Sequence, residues 1–198
     1  TLFRSQFVKL NTNENPYPPS PLVAERLRAF DLDTLRRYPD PNSIDLKSSL
    51  ANAYQLASEQ VFVGNGSDEV LAFVFIAFFK KQNPLLFPEI TYSFYSVYCD
   101  LFEINYQKIP LDETFSVQIQ DYEKSNGGII IANPNAPTGI ALALEDIEQL
   151  LMRNPDSVVV IDEAYVDFGA QSAATLIKKY SNLLVVQTFS KSRSLAGI

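Results

Sequence analysis

Short apolar runs alternate with polar segments along most of the chain, and this pattern predicts alternating helices and strands from Asp45 onward. Runs of three to five residues rich in Val and Ile, such as 128–132 and 158–161, are typical of strands. Longer segments with charges near both ends are typical of helices. Strands that are apolar without interruption fit a sheet covered on both faces, which is characteristic of parallel strands. We therefore expect an α/β fold with a mostly parallel sheet.

The predicted elements give a simple division of the chain. Strands are predicted at 61–63, 85–87, 104–109, 128–132, 158–161 and 183–187, and helices at 22–30, 45–56, 67–81, 92–102, 144–153 and 173–180. Residues 1–43 contain six prolines and are expected to be irregular apart from the first helix. We therefore expect an N-terminal segment over 1–43 and a larger α/β domain over 44–198.

The most apolar helix, around Val70–Phe79, has ten apolar residues in a row, whereas a bilayer needs about 20. Asp68 and Glu69 precede this run and Lys80 and Lys81 follow it, an order that suits the helix dipole. Because it is apolar on all sides, we expect it to be a helix buried between other elements, not a membrane span.

Composition excludes several classes of function. The net charge is −7 without a basic cluster, which argues against binding nucleic acid or an acidic membrane. The chain has one cysteine, Cys99, and no histidine, so it holds no internal disulfide, no Cys–His nucleophile and no Cys/His zinc site, and we expect no metal. We expect Cys99 to be a small buried apolar residue of a protein in the reducing cytoplasm.

Candidate chemistry follows the predicted strands. Segments 64–69, 133–139, 162–165 and 188–191 each begin where an apolar run ends, and they carry Gly, Asn, Asp, Tyr, Ser and Lys. In an open parallel sheet, ligands bind beyond the carboxyl ends of the strands. We therefore expect these four segments to converge on one edge of the sheet.

Taken singly, each segment has two interpretations. The Gly-rich turn at 64–67 either caps a helix or turns its N–H groups toward a phosphate, and it lacks the Gly-Lys-Ser/Thr of a Walker loop. Asp162 is either an acid at a strand end or a buried carboxylate that faces a cationic ring nitrogen. Lys191 is either a surface lysine or a Schiff-base amine. Ser190 and Arg193 either bind a phosphate or lie at the start of a helix.

Together, seven segments resemble the fold-type I aminotransferases, which use pyridoxal 5′-phosphate (PLP), and among them most the histidinol-phosphate aminotransferases. The matching segments, in chain order, are 10–17 (LNTNENPY), 37–40 (RYPD), 64–69 (GNGSDE), 91–93 (TYS), 133–139 (NPNAPTG), 161–168 (IDEAYVDF) and 189–197 (FSKSRSLAG). The resemblance runs the length of the chain.

The resemblance implies a three-layer α/β/α fold with a mostly parallel sheet, here truncated, in which 1–43 belongs to the small domain or dimer arm. It implies PLP as the cofactor, small amino and keto substrates, and a homodimer. The implied reaction is transamination of L-histidinol phosphate with 2-oxoglutarate and glutamate as the other pair, in histidine biosynthesis.

The same resemblance implies a role for each site residue. Lys191 holds the cofactor covalently and, after the amino substrate displaces it, moves a proton between the substrate Cα and the cofactor, and Asp162 pairs with the pyridinium nitrogen. Tyr165 donates to the ring oxygen, and Tyr92 stacks on the ring. The cofactor phosphate is implied to contact Gly66, Ser67, Asp68 and Ser190. Tyr38 is implied to contact the cofactor phosphate of the neighbouring subunit, and Asn13 and Asn15 to line the substrate entrance.

The chain departs from the family pattern at one position. The family has Asn immediately before Pro-Thr-Gly, where this chain has Ala136. With the same backbone the adjacent Asn135 points elsewhere, which leaves Tyr165 as the strong donor to the ring oxygen, and Asn135 stays a candidate cofactor contact. The family's anion-binding arginines come after the position of Ile198. We therefore expect a fragment of a longer protein, inactive and poorly stable by itself.

Two alternatives remain open. One keeps PLP but changes the reaction, to an aromatic aminotransferase or a threonine-phosphate decarboxylase. The other is a non-catalytic α/β domain with a regulatory or interaction role, against which the retained Lys191 and Asp162 argue. The segments at 162–168 and 13–16 favour histidinol phosphate as the substrate.

Overall fold

The computed structural model describes residues 9–198, and it confirms the predicted alternation of helices and strands. The helices are α1 Pro21–Arg28, α2 Ile44–Tyr54, α3 Gly66–Phe78, α4 Phe94–Phe102 and α5 Leu144–Arg153. The strands are β1 Leu85–Pro88, β2 Tyr106–Ile109, β3 Gly128–Ala132, β4 Val159–Asp162 and β5 Leu183–Val186. Short 3-10 turns lie at Leu32–Arg36, Ser58–Gln60, Ile119–Tyr122, Val166–Phe168 and Ala173–Leu176.

All strand pairs are parallel, in the order β2-β1-β3-β4-β5, which confirms the expected α/β fold. After β1 the chain adds β2 on one side, and it then returns past β1 to add β3, β4 and β5 on the other. The strand order therefore reverses between β1 and β3, and ligands bind at such a switch point in open α/β sheets. Ala132 pairs with Asp162, and Asp162 with Val186, so three strands end level at this edge.

Alternate side chains of each strand pack on opposite faces of the sheet, as the two-residue period of a strand requires. Ile130 and Val160 pack with α3 and α4 on one face, and Ile129 and Ile161 pack with α5 on the other. Burial of each aliphatic side chain contributes about 1.5–3 kcal/mol. This two-sided burial explains why the strands are apolar at every position.

Two predicted elements are wrong. Residues 61–63 form no strand: they follow the turn Ser58–Gln60, and Phe62 is 64% exposed, because no neighbouring strand pairs with them. Residues 173–180 form the 3-10 turn Ala173–Leu176 followed by further turns instead of one helix. In that segment the N–H groups of Lys179 and Tyr180 both donate to the carbonyl of Leu176.

The apolar helix α3 is only partly covered in this chain. Leu71 and Phe75 are buried against the sheet, whereas Phe73 and Ile76 are half exposed on the other side, so the expected burial on all sides is wrong for this chain. Across residues 9–198, no helix combines the length and the apolar character that a membrane span requires. Cys99 is buried, as predicted, and burial raises its pKa to about 12.

Contacts divide the chain into two compact units. One joins the N-terminal residues up to Arg37 with Phe189–Ile198, and the other is Tyr38–Thr188, which contains the whole sheet. The domain division expected from the sequence, 1–43 and 44–198, stays a prediction, and its first eight residues lie outside those described.

Candidate active site

At the switch point, the segments after β1 and β3 are joined by the side-chain amide of Asn135. Its Oδ1 accepts a 2.7 Å hydrogen bond from the Thr91 hydroxyl. Its Nδ2 donates to the Ile90 carbonyl at 2.9 Å and to the Thr138 hydroxyl at 3.1 Å. Both N–H groups of this amide are therefore engaged within the protein, and a bond from Asn135 to a cofactor requires the exchange of one of them.

Asp162 ends β4 with its side chain buried, only 4% exposed. Oδ2 accepts a 2.7 Å hydrogen bond from the Tyr95 hydroxyl, and Oδ1 accepts one of 3.2 Å from the Ala164 N–H. Burial raises the pKa of Asp162, and the negative charge of Asp68 adds to that rise, although the two hydrogen bonds oppose it. Such a carboxylate is stabilised by a cation placed beside it.

Three tyrosines, in α4 and just before it, lie between Asp68 and this carboxylate. The Tyr92 hydroxyl donates to Oδ1 of Asp68 at 3.0 Å, and the Tyr98 hydroxyl donates to the Asp68 carbonyl at 3.0 Å. The Tyr92 ring meets the Tyr95 ring edge to face, with 5.6 Å between centroids. Burial raises the pKa of Tyr92 above its usual value and that of Tyr98 to about 12, so both remain neutral donors near pH 7.

The turn that opens α3 depends on its glycines. A side chain at Gly64 would place a Cβ 2.8 Å from Cγ2 of Val70, and Gly66 has a φ of +80°, which favours glycine. The Asn65 N–H donates to the Glu69 carboxylate at 2.6 Å, and the Asn65 side chain does not cap the helix. The first turn of a helix presents N–H groups that suit an anion. Helix capping and phosphate binding both remain compatible with this turn.

Two further tyrosines differ in exposure. Tyr165 is part-buried in the turn after β4, where its ring lies 6.2 Å from the Phe168 ring. Tyr38 is fully exposed, with a relative exposure of 102%. In the larger unit the structure therefore brings Asp68, Tyr92 and Asp162 together, and it leaves Tyr38 at the surface.

The smaller unit contains Lys191 and the asparagine that fixes its backbone. Nδ2 of Asn15 donates to the carbonyls of Lys191 and Ser192, each at 3.1 Å, and its Oδ1 accepts from the Tyr17 N–H at 3.1 Å. The Ser194 N–H also donates to the Lys191 carbonyl at 3.1 Å. The lysine therefore lies on a turn that is fixed by a residue 176 positions earlier.

Three other residues predicted for the site lie in segments described above. Ser190 is part-buried beside Lys191, Asn13 is exposed with a φ of +52°, and Ser67 lies in the first turn of α3. The guanidinium of Arg193 lies 4.9 Å from the centroid of the Phe189 ring, so it stacks within its own turn. The roles expected for these residues stay predictions.

Sequence reasoning missed Tyr95 and Glu163. Tyr95 follows Tyr92 by three residues, a spacing that places both on one side of a helix. Glu163 follows Asp162 directly, and two successive acids after an apolar strand were a signal that one of them is buried in a polar network. Glu163 is 1% exposed.

Comparison with known proteins places the chain among aminotransferases by similarity. The family model for aminotransferase class I and II matches residues 5–198. Histidinol-phosphate aminotransferase 1 of Hydrogenovibrio crunogenus is 61% identical over 191 residues, which are 96% of this chain and 54% of that protein. The chain thus spans about half the length of the curated relatives it matches.

Two solved structures have the same fold as this chain. A putative histidinol-phosphate aminotransferase from Erwinia carotovora atroseptica superposes with a TM-score of 0.87 at 25% identity, over 96% of this chain and 58% of that one. The L-threonine-O-3-phosphate decarboxylase from Porphyromonas gingivalis superposes with a TM-score of 0.81 at 25% identity, over 96% and 57%.

Proposed function

Because the chain belongs to the aminotransferase class I and II family, we propose that the full-length protein transaminates L-histidinol phosphate with PLP as its cofactor. The other pair of substrates is 2-oxoglutarate and glutamate, and the reaction serves histidine biosynthesis. The observation that carries the proposal is the buried carboxylate of Asp162 at the carboxyl end of β4. The high identity to a histidinol-phosphate aminotransferase supports the choice of substrate.

The residues around Asp162 fit the cofactor. The carboxylate is buried, and the neighbouring charge of Asp68 is negative, so a protonated ring nitrogen is the kind of partner that stabilises it. The hydrogen bonds from Tyr95 and Ala164 hold the carboxylate in one orientation. When bound, PLP supplies an electron-withdrawing ring that accepts the electron pair left at the substrate Cα.

Lys191 would hold the cofactor through its side-chain amine, and once the substrate amine has taken its place on the cofactor, the freed lysine amine would take the proton from the substrate Cα. Asn15 supports this role because it fixes the backbone carbonyls of Lys191 and Ser192. Asp162 keeps the ring nitrogen protonated, the Tyr92 ring covers one face, and the Tyr165 hydroxyl donates to the ring oxygen.

The phosphate is held by N–H groups of the first turn of α3 and by the Ser190 hydroxyl. Tyr38 reaches the cofactor phosphate of a second subunit, and its full exposure in this chain supports a role outside its own subunit. We therefore include a homodimer in the proposal, with residues 1–43 in the small domain or dimer arm. The proposal also includes a cytoplasmic location, which is supported by the single, buried thiol of Cys99.

A threonine-phosphate decarboxylase is the second candidate, because one such enzyme has the same fold at the same identity as the aminotransferase structure. Both reactions use the same cofactor and the same lysine. They differ in which bond to the substrate Cα is broken, the bond to hydrogen or the bond to the carboxylate.

Half-reaction kinetics with the purified full-length protein test the substrate. The cofactor absorbance is followed after mixing with histidinol phosphate, phenylalanine or threonine phosphate, without a keto acid. We expect histidinol phosphate to react with a second-order rate constant at least about tenfold above the other two, a difference of about 1.4 kcal/mol in transition-state binding. A faster reaction with phenylalanine, or CO₂ release from threonine phosphate, would contradict the proposal.

A further inference from the structure

Glu163 is a buried acid with no part in the chemistry proposed above. Its Oε1 accepts a 2.6 Å hydrogen bond from the Ala173 N–H. Its Oε2 accepts one of 2.6 Å from the Ser172 hydroxyl and one of 2.7 Å from Nε2 of Gln187. A buried carboxylate is costly unless its oxygens are satisfied, and here three hydrogen bonds satisfy them.

The donors around Glu163 fix it as an acceptor. The backbone N–H of Ala173 and Nε2 of Gln187 can only donate to it, and the Ser172 hydroxyl accepts from the Ala174 N–H at 3.1 Å, so its own proton faces Glu163. Burial raises the pKa of Glu163, and the three hydrogen bonds oppose that rise. The arrangement is therefore complete only when Glu163 is a carboxylate.

Glu163 joins neighbouring segments at the edge of the sheet where Asp162 lies, through its backbone as well as through its carboxylate. The Glu163 N–H donates to the Val186 carbonyl at 2.7 Å, which ties the end of β4 to the end of β5. The Val166 N–H donates to the Glu163 carbonyl at 3.2 Å, within the turn that carries Tyr165. The side chain then reaches Gln187, the first residue after β5, whose Oε1 accepts a hydrogen bond from the Tyr54 hydroxyl of α2.

We propose that Glu163 is a positioning residue: its carboxylate holds the end of β4 to Gln187, directly after β5, and to the turn at 172–173, and so sets where Asp162 and Tyr165 meet the cofactor ring. Glu163 itself touches neither cofactor nor substrate. The inference rests on the proposed function, because it assigns Glu163 a role in the site that PLP occupies.

The variant E163Q in the full-length protein tests the inference. Gln keeps the shape of Glu but places an NH₂ group where Oε1 or Oε2 was. That group faces N–H donors, so at least one hydrogen bond to residue 163 is lost. We expect the affinity of the apoprotein for PLP, measured by absorbance titration, and kcat each to fall about tenfold, with KM for the amino substrate within about twofold. The control E59Q changes an exposed carboxylate and should match the wild type.

The titrations are run at a temperature at which circular dichroism shows every variant to be folded. A merely structural role lowers the unfolding temperature but leaves the PLP affinity and kcat of the folded protein unchanged, and that result for E163Q would overturn the inference. If E163Q does not fold, Q187M decides: it removes the Gln187 donor to the carboxylate, together with the acceptor of the Tyr54 hydroxyl, and leaves Ser172 and Ala173 on the carboxylate. Weaker PLP binding by folded Q187M supports the inference, and wild-type binding overturns it.

The wild-type titration separates the two proposals. A wild-type protein that binds no PLP overturns the proposed function, and with it the inference that rests on it. A wild-type protein that binds PLP, beside folded variants that bind it equally well, overturns the inference alone.

Discussion

The Tyr95 hydroxyl donates a 2.7 Å hydrogen bond to Oδ2 of Asp162, and both side chains are buried. This bond joins helix α4 to the end of β4. Burial and the negative charge of Asp162 raise the pKa of Tyr95 well above its usual value, so the phenol stays protonated and remains a donor. A neutral donor holds the carboxylate in place and leaves its charge for a cation.

The variant Tyr95→Phe removes this donor without changing the ring. We expect the apoprotein to lose about 1–3 kcal/mol of unfolding free energy, because a buried carboxylate oxygen loses its partner. The measurement is urea unfolding of the full-length apoprotein. The matched control is Tyr180→Phe, which removes a 2.8 Å bond to the part-exposed Glu148 and should cost clearly less, because water replaces the lost partner at that position. Equal losses of unfolding free energy in the two variants would show that the buried bond to Asp162 stabilises the protein no more than an exposed one.

The stability of the apoprotein should depend on pH through Asp162. Burial raises its pKa in the folded protein above the ordinary value of 3.8, so the folded state holds this proton more tightly than the unfolded state does. The stability that Asp162 contributes is therefore present below pH 3.8 and is lost as the pH rises through the folded-state pKa.

The variant Asp162→Asn removes that titration. We expect its unfolding free energy, relative to the wild type, to increase as the pH is raised from about 3 and to level off above the folded-state pKa. Urea unfolding of both apoproteins at a series of pH values gives this difference. A difference that stays constant or decreases with pH would rule out a raised pKa at Asp162.

Asn15→Ala should loosen the turn that carries Lys191. The substitution removes both amide hydrogen bonds to the carbonyls of Lys191 and Ser192. We expect kcat of the full-length enzyme to fall about tenfold, with the protein still folded, because the lysine is less well placed. Asn52→Ala, at an exposed position of α2, is the control and should keep kcat unchanged. A kcat equal to that of the control would mean that Asn15 does not position the lysine.

The sequence predicted the sheet well where one local pattern decides the structure. The bounds of β3 and of α5 agree with the prediction, because a short uninterrupted run of Ile is typical of a strand buried on both faces and an amphipathic helix shows a period of 3.6 residues. The same rule failed at 61–63, where an apolar run has no strand to pair with. A run of β-branched and aromatic residues indicates what a segment can form but does not supply its neighbour.

The network around the site could not be predicted because its bonds are long-range. Tyr95 and Asp162 are 67 positions apart, and Asn15 and Lys191 are 176 positions apart. The strand order that creates the switch point beside Asn135 is likewise set by how the chain crosses the sheet, which no local period records. The motifs therefore predicted candidate residues of the site. The structure adds the hydrogen bonds by which some of these residues position others.

Locating the cofactor on the chain tests directly whether Lys191 is its attachment point. The full-length protein is incubated with PLP and reduced with borohydride, which makes the bond between cofactor and amine permanent, and its peptides are weighed by mass spectrometry. We predict that the cofactor mass is on the peptide that contains Lys191, that it is lost in Lys191→Ala, and that it is kept in Lys178→Ala, which changes an exposed lysine. Cofactor on another lysine, or on none, would show that Lys191 does not hold it.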